Sequence, residues 1–214
     1  VAMGLPGLAC QVAWFAPMQS MVEINKNKDT GKLPLLPYSS MLASGSLWSL
    51  YGLVLENPGI WLPNIPPIFC GAYYCYTFNK HCPPDANWLP GTKMVHAVGT
   101  TAIIASMTAV AATQEPAFAR DIIGTVGCVM VVCVFTGPLA AISEIVKTKS
   151  TKSLPFGFTC ASFLNCSLWT LYGSMVLQDV YIWGPNALGL ASSIVQLGLF
   201  ARYGFTQQDK NETE

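Results

Sequence analysis

Apolar residues in this chain come in blocks rather than in stripes. Seven stretches, 5–24, 36–55, 60–79, 94–113, 122–145, 156–176 and 181–201, are dominated by aliphatic and aromatic side chains. A helix needs about 20 such residues to cross a bilayer core. The connections are short and polar, as at Asn25–Lys32 and Thr113–Arg120. The pattern predicts an all-α membrane protein with seven transmembrane helices and no soluble domain between them.

The blocks repeat. Displacing the chain by 121 residues brings Pro17, Glu23, Ile24, Lys26 and Lys28 onto Pro138, Glu144, Ile145, Lys147 and Lys149. Thr30, Leu33 and Pro34 meet Thr151, Leu154 and Pro155. Ser46-Leu47-Trp48 and Leu50-Tyr51-Gly52 meet Ser167-Leu168-Trp169 and Leu171-Tyr172-Gly173. That is 14 identities over the 36 positions 17–52, where chance gives about two. After a one-residue insertion, Ile60-Trp61 and Pro63-Asn64 meet Ile182-Trp183 and Pro185-Asn186. Three crossings invert the chain, so an unmatched fourth helix is needed to bring the second copy back to the direction of the first. The expected architecture is two parallel three-helix bundles joined by a linker helix, 3+1+3. Its boundaries are a first repeat at 1–80, a linker at 81–121, a second repeat at 122–203 and a cytosolic tail at 204–214. Parallel repeats of this kind place a substrate site near the midplane, where the halves meet.

Composition agrees with the membrane reading and narrows the chemistry. Only 10% of residues are charged and 52% are hydrophobic, against about 25% charged in ordinary globular domains. Net charge is zero, which removes any pull toward nucleic acid. With the amino terminus outside, ten of the eleven basic residues fall on cytosolic segments, Arg120 being the exception. This is the positive-inside bias, and it puts the carboxyl terminus in the cytosol. Six of the eight cysteines (Cys10, Cys70, Cys128, Cys133, Cys160 and Cys166) lie inside apolar runs and read as small buried hydrophobes. The sequons at Asn165 and Asn211 fall in an apolar run and in the cytosolic tail, so neither is expected to carry glycan. No signal-peptide pattern is visible, and Val1 implies a trimmed native start. His81 and His96 lack a ligand set around them, and no nucleophile–base pair, HExxH or GxSxG motif is present. Neither an enzyme nor a metal or other cofactor is expected. A seven-helix receptor is disfavoured by the duplication and the short loops.

The run Gly137-Pro-Leu-Ala-Ala-Ile-Ser-Glu-Ile-Val-Lys-Thr-Lys-Ser-Thr-Lys-Ser-Leu-Pro-Phe156 resembles the signature of the SWEET family of sugar transporters. Leu168-Trp-Thr-Leu-Tyr-Gly173 and Pro185-Asn186 follow at the family's spacing, and the first half echoes the same elements. The resemblance spans all seven segments. It implies bidirectional facilitated transport, as a uniporter working by alternating access, of a glucose- or sucrose-like sugar in homo-oligomers. A passive carrier or channel for another small neutral solute is the alternative. The resemblance leaves plasma and vacuolar membranes open, with the plasma membrane favoured.

Sugars offer hydroxyls and two apolar ring faces, so their sites combine flat aromatic surface with neutral hydrogen-bonding groups. Trp48 and Trp169 are repeat mates deep within segments 2 and 6. Asn64 and Asn186 are mates whose amides both donate and accept. These four are the expected substrate-binding residues. By the family likeness Ser44 and Asn165, one turn before each tryptophan, line the same site. Small Ala13 and Ser44 and medium-sized Val134 bear on which sugar fits. The resemblance further implies hinges at Pro17, Pro37, Pro138 and Pro155, with Pro34 as a rival to Pro37. It also implies an extracellular gate made by hydrogen bonds among Tyr51, Tyr172 and Asp179. Glu23 and Glu144 read as interfacial carboxylates paired with neighbouring lysines. No ionisable residue falls in the middle of any segment, where ion-coupled pumps usually carry one, so facilitated diffusion is expected.

Overall fold

The computed structural model describes residues 6–7, 11, 14–15, 17–31, 33–84, 86, 92–134, 136–151, 154 and 156–204, with backbone alone at 132–141. Among the described residues the regular elements are all helical. The helices are α1 (Met18–Asn27), α2 (Leu36–Val54), α3 (Pro58–His81), α4 (Lys93–Thr113), α5 (Pro116–Val134), α6 (Thr136–Thr148), α7 (Phe156–Leu171) and α8 (Val180–Tyr203). Between α7 and α8, Tyr172–Leu177 forms a π-helix. Segments 2, 3, 4 and 7 are each matched by a single helix. The expected span 122–145 falls within α5 and α6, which flank residue 135, outside the described residues. Ala13, Pro155, Cys10 and the tail 205–214 lie outside the described residues, and the side chains of Val134, Cys133 and Pro138 lie in the backbone-only stretch.

The chain divides into two compact units, Val1–Gly127 and Cys128–Glu214. In the first, α3 packs against both α1 and α2, and α4 lies along α2. The core of that bundle includes Met21 and Ile24 from α1, Tyr38 from α2, and Tyr74 and Phe78 from α3. Inside a bilayer there is no hydrophobic driving force between helices, so close approach and hydrogen bonds must hold them together. Gly71 supplies the close approach, because a Cβ there would stand 2.7 Å from the backbone nitrogen of Leu42. Hydrogen bonds supply the rest. Tyr74 donates from its hydroxyl to the Trp14 carbonyl at 3.0 Å, and Ser39 Oγ meets His96 Nδ1 at 3.0 Å, tying α2 to α4.

The prolines inside α3 are handled locally. Pro67 has no N–H for the Pro63 carbonyl one turn back, and Gln11 Nε2 donates to that carbonyl at 3.2 Å. The hinge candidates Pro17 and Pro37 stand elsewhere. Pro17 is the residue before α1, and Pro37 is the second residue of α2. In a first helical turn, proline forfeits no hydrogen bond. Pro138 is the third residue of α6.

In the second unit, α8 packs against both α6 and α7, as α3 does with its partners in the first. Ile145, Leu154 and Phe200 form its buried cluster, at positions matched in the first repeat by Ile24, Leu33 and Phe78. One matched pair has diverged in chemistry. Tyr38 and Tyr74 meet edge to face at 5.9 Å in the first unit. Their mates Thr159 and Gln196 share a 3.1 Å hydrogen bond, and Gln196 Nε2 donates onward to Ser192 Oγ at 3.1 Å.

Two helices, Lys93–Thr113 and Phe156–Leu177, are long and apolar enough to cross a membrane by length and composition alone. In α4, Ser106, Thr108 and Thr113 donate their hydroxyls to carbonyls one turn back, at 2.7–2.8 Å. A polar side chain satisfied within its own helix can face lipid at little cost.

Candidate functional site

Trp48 lies in α2 and Trp169 in α7, each one turn before a tyrosine. Trp48 meets Tyr51 with ring centroids 5.4 Å apart and planes at 75°. Trp169 meets Tyr172 at 5.9 Å and 73°. An edge-to-face contact holds an aromatic ring at a defined angle. The duplication therefore extends from residue identity to ring geometry. Tyr51 and Tyr172 are buried, as is Trp169, whereas Trp48 is half-buried.

The asparagine mates also agree. Asn64 Nδ2 donates to the Ile60 carbonyl at 2.8 Å, and Asn186 Nδ2 donates to the Ile182 carbonyl at 2.7 Å. Each side chain is thus folded back on its own helix and oriented by one N–H, leaving its amide oxygen as an acceptor. Ser44 is half-buried in α2. Its mate Asn165 in α7 holds Oδ1 out of solvent with no hydrogen-bond partner among the described residues. A buried carbonyl of that kind is costly unless something donates to it, which suits a ligand hydroxyl.

The corner that follows each tryptophan is built twice to one plan. In the first unit, Glu56 takes a left-handed conformation (φ 51°), and Asn57 caps α3 by accepting from Gly59 N at 2.9 Å. In the second, Gln178 takes φ 52°, and Asp179 caps α8 by accepting from Tyr181 N at 3.0 Å. The Asn57 and Asp179 backbone N–H groups donate to Gly52 and Gly173 at 2.8 and 3.0 Å. Both glycines are forced by packing. A Cβ at Gly52 would stand 2.6 Å from Trp61 N, and one at Gly173 would stand 2.9 Å from Trp183 N. The inserted residue of the second copy is taken up by the π-helix Tyr172–Leu177, whose wider turn spends one more residue for the same advance.

The expected gate residues cluster at these corners. Asp179 is buried and capping, and Tyr172 keeps its hydroxyl out of solvent without a hydrogen-bond partner among the described residues. Glu23 and Glu144 are exposed. Glu23 accepts from Gln19 Nε2 at 3.5 Å, and among the described residues neither carboxylate has a lysine partner. Cys70 and Cys166 are buried and free, while Cys128 and Cys160 are half-buried and free. Among the described residues no group of three or more metal-ligating side chains occurs. Sequence reasoning missed the Asn57 and Asp179 caps, although their equivalence is visible once the insertion is placed ahead of them. It also missed Gly127, whose only signal is spatial.

The family model for sugar efflux transporters for intercellular exchange matches residues 2–86 and 121–208. The bidirectional sugar transporter SWEET16 of Oryza sativa subsp. japonica is 29% identical over 209 residues, covering 96% of this chain and 62% of its own length. The sugar transporter SWEET1 of Caenorhabditis elegans is 27% identical over 201 residues, covering 94% and 64%. The SWEET1 of Drosophila pseudoobscura pseudoobscura is 32% identical over 183 residues, covering 83% and 77%. This chain therefore spans less than two thirds of the rice and nematode relatives. A solved eukaryotic SWEET transporter superposes with a TM-score of 0.81 at 22% identity, covering 94% of both chains. That likeness carries the fold: seven membrane-crossing segments in the 3+1+3 order. With a family model matching both halves, the chain belongs to the SWEET family of sugar transporters, and as such is an integral membrane protein.

Proposed function

We propose that this chain carries a mono- or disaccharide across a membrane in both directions by facilitated diffusion, alternating access between its two sides. The observation that supports this best is the duplicated aromatic and amide set. Trp48 with Tyr51 and Trp169 with Tyr172 present ring surface at matched angles, and Asn64 and Asn186 present oriented amides. Flat apolar surface beside neutral donors and acceptors is what a sugar needs and what an ion does not. Trp48, Asn64, Trp169 and Asn186 are the sugar-binding groups in this reading. Ser44 and Asn165 line the site with them, and the unsatisfied Asn165 oxygen accepts from a sugar hydroxyl. Pro17, Pro37, Pro138 and Pro155 serve as hinges. Tyr51, Tyr172 and Asp179 form the outer gate, with the amino terminus outside and the carboxyl terminus in the cytosol of a plasma membrane. Homo-oligomers form, although each chain carries both halves.

Purified protein in liposomes tests this by uptake of labelled glucose and sucrose, with Asn186→Ala as the paired control. The expected result is saturable, gradient-driven uptake that falls at least about tenfold in the variant, as removal of a well-placed polar contact does. Folded protein that takes up neither sugar would move the reading to another small neutral solute. Uptake without saturation or trans-stimulation would indicate a channel.

A further inference from the structure

The indole of Trp48 rests on a glycine. Gly127 in α5 is buried, and a Cβ placed on it would stand 3.2 Å from Trp48 Cζ2, 3.4 Å from Cε2 and 3.5 Å from Cη2. Three contacts that close along one edge of the ring mean that the indole lies against bare backbone. Tyr51, fully buried, meets it edge-to-face. Ile123 and Ala119, one and two turns earlier on α5, are also buried. With Gly127 they make a stripe at four-residue spacing, the face of a helix turned to its neighbours. Within that stripe the position facing Trp48 is the one without a side chain. A glycine inside a helix is unfavourable for the backbone, so a buried one in contact with a ring is best explained by the space it leaves.

We propose that Gly127 is a positioning residue for sugar binding: its missing side chain sets how far the Trp48 indole can withdraw, and so which ring surface the solute meets. The inference rests on the sugar-carrier reading and adds to it a determinant on α5, outside the duplicated aromatic and amide set. An added methyl group would push the indole by a few tenths of an ångström. Because the indole also meets Tyr51 edge-to-face, a displaced ring tilts against it. Sugar stacking depends on that tilt, whereas the helix itself should gain from the exchange.

The test compares Gly127→Ala, Trp48→Phe and the double variant with the wild-type chain, measuring initial uptake rates in liposomes and thermal stability in detergent. Small misplacements of a binding group cost severalfold to a hundredfold. Gly127→Ala is therefore expected to raise the half-saturating sugar concentration about three- to tenfold, with maximal rate within about twofold and stability unchanged or higher. In the Trp48→Phe background, where the smaller ring no longer reaches α5, the same substitution is expected to change half-saturation less than about 1.5-fold. A purely structural role would lower stability and maximal rate in both backgrounds alike, and that result would overturn the proposal. So would an unchanged half-saturation in Gly127→Ala beside a normally active wild type. If Gly127→Ala alone fails to fold, recovery of folded protein in the double variant supports the steric contact, and failure of both counts against it. A wild-type chain that transports neither sugar counts against the carrier reading itself, which separates the two failures.

Discussion

At the scale of single residues, the least conspicuous side chain bears most of the geometry. Gly52 and Gly173 each let a helix start pass within reach of the preceding helix, at distances a methyl group cannot share. Gly52→Ala and Gly173→Ala are each expected to destabilise the protein by about 1–3 kcal/mol, the usual cost of forcing atoms into a filled space. Gly99→Ala, in the middle of α4 with nothing within 4 Å of its Cβ position, should be neutral or slightly stabilising. Thermal unfolding in one detergent compares all three. Equal stability of Gly52→Ala and Gly99→Ala would show that the corner relaxes. The paired tryptophans and asparagines were legible from the chain because duplication marks them twice. The Trp48–Gly127 contact was not, because it joins residues 79 positions apart and no periodicity announces it.

At the scale of elements, segment lengths were readable and the local backbone within them was not. The insertion in the second repeat was visible as a count, but only the backbone shows it absorbed as a π-turn ahead of Asp179 rather than as a longer loop. The hinge prolines illustrate the same limit, because Pro37 opens a helix whereas Pro63, Pro66, Pro67 and Pro185, among the described residues, lie inside helices. The caps follow a chemical rule that can be tested. Asn and Asp are comparable N-caps, and alanine costs about 1 kcal/mol relative to either. Asp179→Asn should therefore keep wild-type stability, whereas Asp179→Ala and Asn57→Ala should each lose about 1 kcal/mol. Transport lost in Asp179→Asn at full stability would assign the gate to the charge rather than to the cap. A large stability loss in Asp179→Asn would instead mean that the buried carboxylate holds the fold through its other contacts.

At the scale of the molecule, two bundles of one design sit in one chain, and the family model finds both. The sequence carries no ionisable side chain at mid-segment on which a driving ion could act. Uptake by the reconstituted protein should therefore be the same with and without an imposed pH gradient, ending at equal sugar concentrations on both sides. Accumulation above equilibrium driven by protons would contradict this. Duplication made the architecture legible, since 3+1+3 follows from a parallel repeat and an odd number of crossings. It left unread how far the copies had parted inside, because hydropathy averages over the buried positions that differ.

That parting has a consequence for the chain's history and for anyone rebuilding it. Where one copy interlocks two phenol rings, Tyr38 and Tyr74, the other ties a hydroxyl to an amide, Thr159 and Gln196. Neither member of one pair has a fitting partner in the other. Because each pair lies within one copy, exchanging a whole half carries its pair intact, whereas a crossover between the two positions of one half leaves a tyrosine facing an amide or a threonine facing a phenol. Recombination between the copies can therefore succeed only when it carries both positions across together.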